Sequence, residues 1–386
     1  MIHAIPQLGA DDREVIRLIH EQRRHLTYSI NRNPVRWTGF LRRNTFARAM
    51  QGSNSIEGIE ASFDEAVAII DNERPESVEE EDYAALLGYR NAMTYVLQLH
   101  GDPYFVMQPQ VIKSLHFIML SYDMTKLPGQ WRNGEIYVVS EKTGETVYKG
   151  PDAELVPALM DELVAQIDGA DGIDPLVKGA MAHLNLAMIH PFKDGNGRMA
   201  RALQTLVIAR DGILAPTFSS IEEWLGRNTD PYYAILSQLG QGAWHPQNNA
   251  LPWLRFCLRA HFQQAATLIK RNAEIGRLWA EVSKIIVANR LPERMELAVM
   301  DAAFGVRVRN SVYRTEQEIS DVVASRDLKK LCELDLLTPV GEKRGRHYIA
   351  TKKLRELRRE TADTRRAADP YQLIQKTSQL PLPGLV

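Results

Sequence analysis

Residues 190–201 read HPFKDGNGRMAR, a stretch that closes one helix and opens the next around a charged turn. The segment before it, DPLVKGAMAHLNLAMIH (174–190), reads as a helix with Asp174 as N-cap and Pro175 at the first helical position. Pro191 stops that helix and leaves His190 at its end. A second helix starts near Gly197, carries Met199, Leu203, Leu206 and Val207 as its apolar stripe, and closes at Asp211-Gly212. The turn between them aims backbone N–H groups and a positive helix end at one point, which makes an anion site. Gly195 and Gly197 let a phosphate approach without a Cβ in the way, and Asn196 has an amide to donate. Arg198 and Arg201, three apart, project from one face as two forked cations suited to a polyphosphate. Asp194 offers a hard oxygen for Mg²⁺, and His190 is the group suited to accept a proton at neutral pH. Each piece alone has a bland reading: a His-Pro often marks only a helix end, and a DGNG only a turn. Together they specify a nucleotide site.

The chain has 386 residues, enough for two or three domains, and its 25% charged and 45% hydrophobic residues are those of a globular protein. A formal net charge of −1 argues against wholesale nucleic-acid binding but allows a local basic patch. The two cysteines, Cys257 and Cys332, lie inside apolar helical patterns and form no zinc or disulfide signature. The opening MIHAIPQLGADDREVIRL has acids where a signal peptide needs an apolar core, and no run reaches the ~18 apolar residues of a membrane span. A soluble cytoplasmic protein without membrane partners is expected.

Helical patterns cover 11–50, 62–71 (opened by a Ser62/Glu65 capping box), 82–100 and 108–122. Strand signals run from Glu135 to Ser140 and Thr146 to Lys149 around a Lys142-Thr143-Gly144-Glu145 turn, so Trp131–Gly150 reads as a β-hairpin. After the central motif helices continue to about residue 290, with breaks near His245-Pro246 and Leu291-Pro292. Residues 293–304 and 315–337 read as helices, and two short strands follow around a basic turn, the order of a winged helix-turn-helix. Lys329, Lys330, Lys343, Arg344 and Arg346 are either a solvated face or a phosphate-binding patch. From Ala367 the chain reads as a loose tail. The division expected is a helical region 1–105, a central domain 106–250, connecting helices 251–291, a winged-helix domain 292–355 and a tail 356–386.

The 190–201 stretch resembles the Fic family motif H-x-F-x-(D/E)-G-N-G-R-x-x-R at every defined position, and the likeness covers most of residues 1–250. It implies a mainly helical fold with a β-hairpin flap, and AMP transfer from ATP to a Ser, Thr or Tyr hydroxyl of a target protein or of the chain itself. On these residues, the resemblance makes His190 the base and Asp194 the Mg²⁺ ligand. It makes Gly195-Asn196-Gly197 the anion hole, with Arg198 on the β-phosphate and Arg201 on the γ-phosphate. PGQWRNGEIYVVS (128–140) resembles the flap, placing Ile136, Tyr137, Val138 and Val139 along nucleotide and target. Tyr232-Tyr233 resembles a pair that encloses the adenine, and its other reading is two aromatics in a helix core. Gly240 stands where related chains often carry Asn. Phosphocholine and UMP transfer also occur in the family, so the nucleobase is not fixed.

A second motif, Ser53-Asn54-Ser55-Ile56-Glu57-Gly58, has a local reading: Ser53 or Asn54 caps a short turn, Glu57 reaches back to Asn54, and Gly58 ends it. It also fits the family's inhibitory pattern (S/T)-x-x-x-E-(G/N), which implies a Glu57–Arg201 pair that keeps the γ-phosphate out. Alternatives from other classes are a DNA-binding regulator whose core senses nucleotide, and an enzyme that removes AMP. DNA contact through the winged helix and a homodimer stay open.

Overall fold

The computed structural model describes residues 1–139, 144–169, 172–210, 212–342 and 345–378. Ser140, Lys142, Thr143, Asp211, Lys343 and Arg344, which carried parts of the sequence reading, lie outside them.

Two helices at the centre follow from the motif. One is α7, Pro175–Ile189, with the Asp174 carboxylate accepting from the Leu176 N–H 2.9 Å away. The other is α8, Asn196–Ala209. Both are buried almost throughout, so their side chains are apolar or tied into internal hydrogen bonds. In front of them run α1 (Ala10–Arg32), α2 (Val35–Ser55), α3 (Phe63–Ile70), α4 (Glu80–Gly101), α5 (Pro109–Leu120) and α6 (Val156–Asp168). The continuous helical pattern at 11–50 is two helices, because Pro34 breaks it. The Ser62/Glu65 capping box forms at the head of α3. Helix α6 was not evident from the sequence.

Strands β1 (Tyr137–Val139) and β2 (Thr146–Lys149) pair antiparallel, with Tyr137 opposite Lys149 and a register shift between Val138 and Val139. Residues 135 and 136 stand outside the strand that the alternation suggested. One apolar core, including Leu86, Tyr89, Leu115, Phe192 and Leu203, joins α2 and α4–α6 to α8. A second joins α1 and α7 to α10 (Glu222–Gly226), α11 (Thr229–Gly240) and the first half of α12, whereas Phe218 of the short α9 (Pro216–Ser219) belongs to a third core.

In place of several connecting helices there is one, α12, Leu251–Ala288. At 1.5 Å per residue its 38 residues span about 57 Å. Trp253 and Phe256 lie in the second core, while Leu278, Trp279 and Val282 lie in a third with Leu26, Phe40 and Leu41. That third core carries α13 (Met295–Ala303), α14 (Asn310–Glu316), α15 (Asp321–Glu333), the antiparallel pair β3 (Leu337–Val340) and β4 (His347–Ala350), and α16 (Lys352–Thr361).

Two expectations are corrected here. Residues 315–337 are not one helix: the chain turns between α14 and α15 with Glu318 at φ 51°, and Leu337 already belongs to β3. The tail is not loose over its first part. Pro370–Ser378 forms α17, Asp369 accepts from the Tyr371 N–H, and the Tyr371 hydroxyl donates to Asp12. Among the described residues, no helix is long and apolar enough to cross a membrane.

Candidate active site

Helix α7 ends on a left-handed residue, His190 (φ 51°, ψ 59°), which turns the chain sharply into Pro191. The His190 Nδ1–H donates to the Ala187 carbonyl at 3.1 Å, leaving Nε2 as the acceptor. Burial lowers the His190 pKa, and the Ala187 hydrogen bond and Glu57 oppose that only in part. A neutral imidazole with a free Nε2 follows, the form a general base needs.

The turn is locked from within. Asn196 accepts from the Phe192 N–H and donates to the Phe192 carbonyl, both at 2.9 Å. Its amide is thus occupied, which corrects its expected use as a side-chain donor to phosphate; what it offers is the backbone N–H of the helix start. Phe192 stacks on His116 with ring centroids 3.7 Å apart. His116 accepts from the Gly129 N–H and donates to the Asp194 carbonyl, and burial pushes its pKa down to about 4. It is a neutral bracket between α5, the residues before the flap and the turn. Gly195 takes φ 74°, a left-handed conformation that favours glycine.

Arg198 and Arg201 are both almost fully buried, and neither is saturated. Among the described residues, Arg198 Nε and Nη1 and Arg201 Nη1 have no acceptor. Arg201 reaches the end of α2: Nε donates to Ser53 Oγ (2.8 Å), and Nη2 to the Ser53 carbonyl (2.9 Å) and Glu57 Oε1 (2.7 Å). A Cβ at Gly197 would overlap Glu57 Oε1, so the missing side chain makes room for a carboxylate at the start of α8. Ser53 and Asn54 lie in the last turn of α2 and cap nothing. Asn54 donates back to the Met50 carbonyl, and Gly58 (φ 75°) ends the turn as its position suggested.

Asp194 is part-exposed. Its Oδ1 accepts from the Gly195 N–H at 2.6 Å, and its Oδ2 pairs with Lys126 Nζ at 3.1 Å. Burial works to raise its pKa, but Lys126 and Arg198 outweigh it and hold the carboxyl below its ordinary value. One carboxylate is the donor set Mg²⁺ takes when phosphates complete its shell, so the residue fits such an ion with Lys126 as competitor. Among the described residues, no group of three or more His, Cys, Asp or Glu could hold a metal.

The strand β1 exposes Tyr137 and Val139, while Val138 packs inward against the second core. Ile136 accepts from the Gly150 N–H through its carbonyl. Tyr232 and Tyr233 divide. Tyr232 is interior, its hydroxyl 2.9 Å from His183 Nε2, so it does not open onto the cleft. Tyr233 is 46% exposed and donates to the Ile56 carbonyl beside Glu57.

Sequence reasoning missed Arg132, His116 and Lys126. Arg132 Nε donates to the His190 carbonyl at 2.8 Å, and its Nη atoms donate to the Gly134 and Pro151 carbonyls. Its backbone N–H donates to the Pro191 carbonyl, so this residue fastens the base of the hairpin to the turn after α7. A lone arginine inside an otherwise apolar and turn-forming stretch was the available signal; its carbonyl partners, distant in sequence, were not.

Residues 107–208 match the Fic/DOC family. The chain is 25% identical over 299 residues to the protein adenylyltransferase fic-1 of Caenorhabditis briggsae, covering 72% of this chain and 54% of that protein. Over 268 residues it is 24% identical to a protein adenylyltransferase Fic of Nematostella vectensis, covering 66% and 56%. The chain thus spans about half the length of these curated relatives. A Fic family protein of Desulfovibrio desulfuricans shares the fold with a TM-score of 0.57 at 19% identity, over 91% of this chain and 98% of that one. Fic-1 of C. elegans (residues 134–508) gives 0.53 at 22%, over 68% and 71%. The helical fold with its small hairpin is the Fic fold, and this chain carries a Fic/DOC domain over residues 107–208.

Proposed function

We propose that the chain transfers AMP from ATP to a Ser, Thr or Tyr hydroxyl of a protein, and that Glu57 holds this activity in check. The observation that carries the reading is the pair of buried, under-satisfied guanidinium groups at the start of α8. Buried cations lacking acceptors are costly unless an anion completes them. The adenylyltransferase names of the relatives agree with an adenine nucleotide as that anion.

In the reaction, the target oxygen attacks the α-phosphorus and passes its proton to His190 Nε2. The new P–O bond forms as the bond to the bridging oxygen of the β-phosphate breaks, and pyrophosphate leaves. Arg198 and Arg201 take the β- and γ-phosphates, and the N–H groups at the head of α8 face the developing charge. Mg²⁺, when bound at Asp194, supplies further neutralisation of the phosphates. The outer edge of β1, unpaired among the described residues, suits an extended target segment held by backbone hydrogen bonds.

Glu57 puts its carboxylate where a terminal phosphate would meet Arg201 and the α8 N-terminus. The site is therefore filled by the protein's own anion. The test is incubation with ATP labelled at the α-phosphorus. Glu57→Gly should raise label on protein at least ~10-fold over wild type, a differential of about 1.4 kcal/mol. Adding His190→Ala should abolish it. Equal labelling of wild type and Glu57→Gly would remove Glu57 as a brake, and transfer of γ-label in place of α-label would overturn the reaction.

A second reading, DNA contact through the C-terminal region, is favoured by one observation. Helix α15 exposes Ser325, Arg326 and Lys329, and Arg346 is exposed on the wing. Fluorescence anisotropy with duplex DNA should show binding that weakens steeply with salt; none at low salt would eliminate it.

A further inference from the structure

Helix α2 works on two faces. Ser53, with Glu57 in the turn just beyond the helix, looks toward Arg201, whereas Arg48, Gln51 and Ser55, spaced by three and four, lie on the opposite side. That opposite face walls a cavity of about 640 Å³, closed by Glu60 and its neighbours before α3 and by Glu223 and Arg227 of the α10 segment. No residue of the 190–201 turn lines it. The volume falls in the ~300–1,000 Å³ range of small-molecule sites.

Arg48 gives the cavity its chemistry. Its guanidinium lies 4.2 Å over the Phe63 ring, and its Nε is buried without an acceptor among the described residues. The nearest buried acid is already committed: Glu223 accepts from Arg271 at 2.6 and 3.0 Å, Arg227 at 2.6 Å and Gln264 at 3.1 Å. Burial, with Arg271 and Arg227 adding repulsion, pushes Arg48 down to about 10. Arg227 also lines the cavity, its side chain 58% exposed and anchored through Nη2 on Glu223 at 2.6 Å. Glu60 is exposed on the rim and Glu65 is held by the Ser62 N–H, so the entrance disfavours a polyanion.

We infer that this cavity is a second ligand site, distinct from the nucleotide cleft, which takes a compact solute by a single oxyanion group held between Arg48 and Arg227. A forked guanidinium meets such a group with two parallel hydrogen bonds, and the oxyanion supplies the acceptor that Arg48 Nε lacks. The aromatic face of Phe63 keeps the fork in place.

The test uses the full chain and inorganic phosphate, with selenate as its anomalous scatterer. Crystals grown with selenate should show an anomalous peak within hydrogen-bonding reach of Arg48 Nε. Calorimetric titration with phosphate should lose at least tenfold in affinity in Arg48→Gln and in the more exposed Arg227→Gln, with Arg48→Lys, which keeps the charge but not the fork, intermediate. Because the nucleotide cleft also attracts anions, the titration is repeated in Glu57→Gly, where the Arg48-dependent component should persist unchanged. Displacement of phosphate by acetate would assign a carboxylate ligand, and resistance to acetate a phosphate. A peak only at Arg198 and Arg201, or phosphate binding by Arg48→Gln and Arg227→Gln equal to wild type, would overturn the site and leave the reading of the cleft intact.

Discussion

At two of the places where this molecule encloses arginine, it does so in opposite ways. In the third core, Arg43 of α2 meets three carboxylates: Asp71 and Glu316 at 3.1 Å, and Asp301 of α13. At the start of α8, among the described residues, Arg201 meets one, Glu57, and Arg198 pairs with none, with nitrogens of both groups lacking acceptors. The first cluster has anions to spare. The second has a deficit. Burial, with the crowding of negative charge, raises Asp301 to about 6 and Glu316 to about 7, so the surplus is felt by the acids themselves. A site that joins elements together can be over-supplied from within, whereas a site that receives an anionic ligand must leave some of its valence to the ligand.

The largest effect should come from removing the over-supplied cation. Arg43→Met leaves three acids beside a buried gap, and a loss of roughly 3–5 kcal/mol is expected in urea unfolding. Arg198→Met, which removes a cation with no ion-pair partner, should cost much less. Equal losses would erase the distinction.

A smaller effect should appear on changing pH. Asp301 and Glu316 have folded-state pKa values above the ordinary carboxylate range, so the folded chain binds more protons than the unfolded one between about pH 4 and 7. Their contribution is complete below pH ~4 and is lost as pH rises through 6 and 7. Glu316→Gln should therefore flatten the fall in melting temperature between pH 5 and 8. A variant curve parallel to wild type would mean that the cluster does not store protons.

The smallest effect concerns Asp194, which shares the deficient site. Its carboxylate is claimed by Lys126, an ion pair open to solvent on one side. Lys126→Met should tighten Mn²⁺ binding, read by electron paramagnetic resonance, by roughly three- to tenfold, or about 1 kcal/mol. Unchanged binding would show that the lysine and the metal do not compete.

What could be read from the sequence was what is encoded locally. The α7–turn–α8 unit was legible because Asp174, Pro175 and Pro191 act on their own backbone, and because the glycines and arginines of the turn act within a few residues of one another. The Glu57–Arg201 contact came from resemblance alone, since 144 residues separate the partners and the local reading of the second motif pointed to a cap. Arg132 and His116 stayed hidden because their partners are mostly backbone groups, which every residue carries. The break before α15 was hidden for another reason. A left-handed Glu318 makes the turn without glycine or proline to announce it. Helix α17 did carry a signal, Asp369-Pro370, which the polar composition around it obscured.

The length of α12 has a consequence for the chain as a folding unit. Its N-terminal half is packed by Trp253 and Phe256 beside α7, and its C-terminal half by Leu278, Trp279 and Val282 beside the C-terminal elements, without a break in its backbone ladder. A helix shared in this way transmits loss of order from one end to the other, so the two regions should melt together and not as separable modules. Ending the chain near Pro292 would take the Phe304 ring from Phe40 of α2 and the Glu296 acceptor from the Trp279 indole. The C-terminal region is in this sense part of the foundation on which α2, and the turn bearing Glu57 at its end, rests.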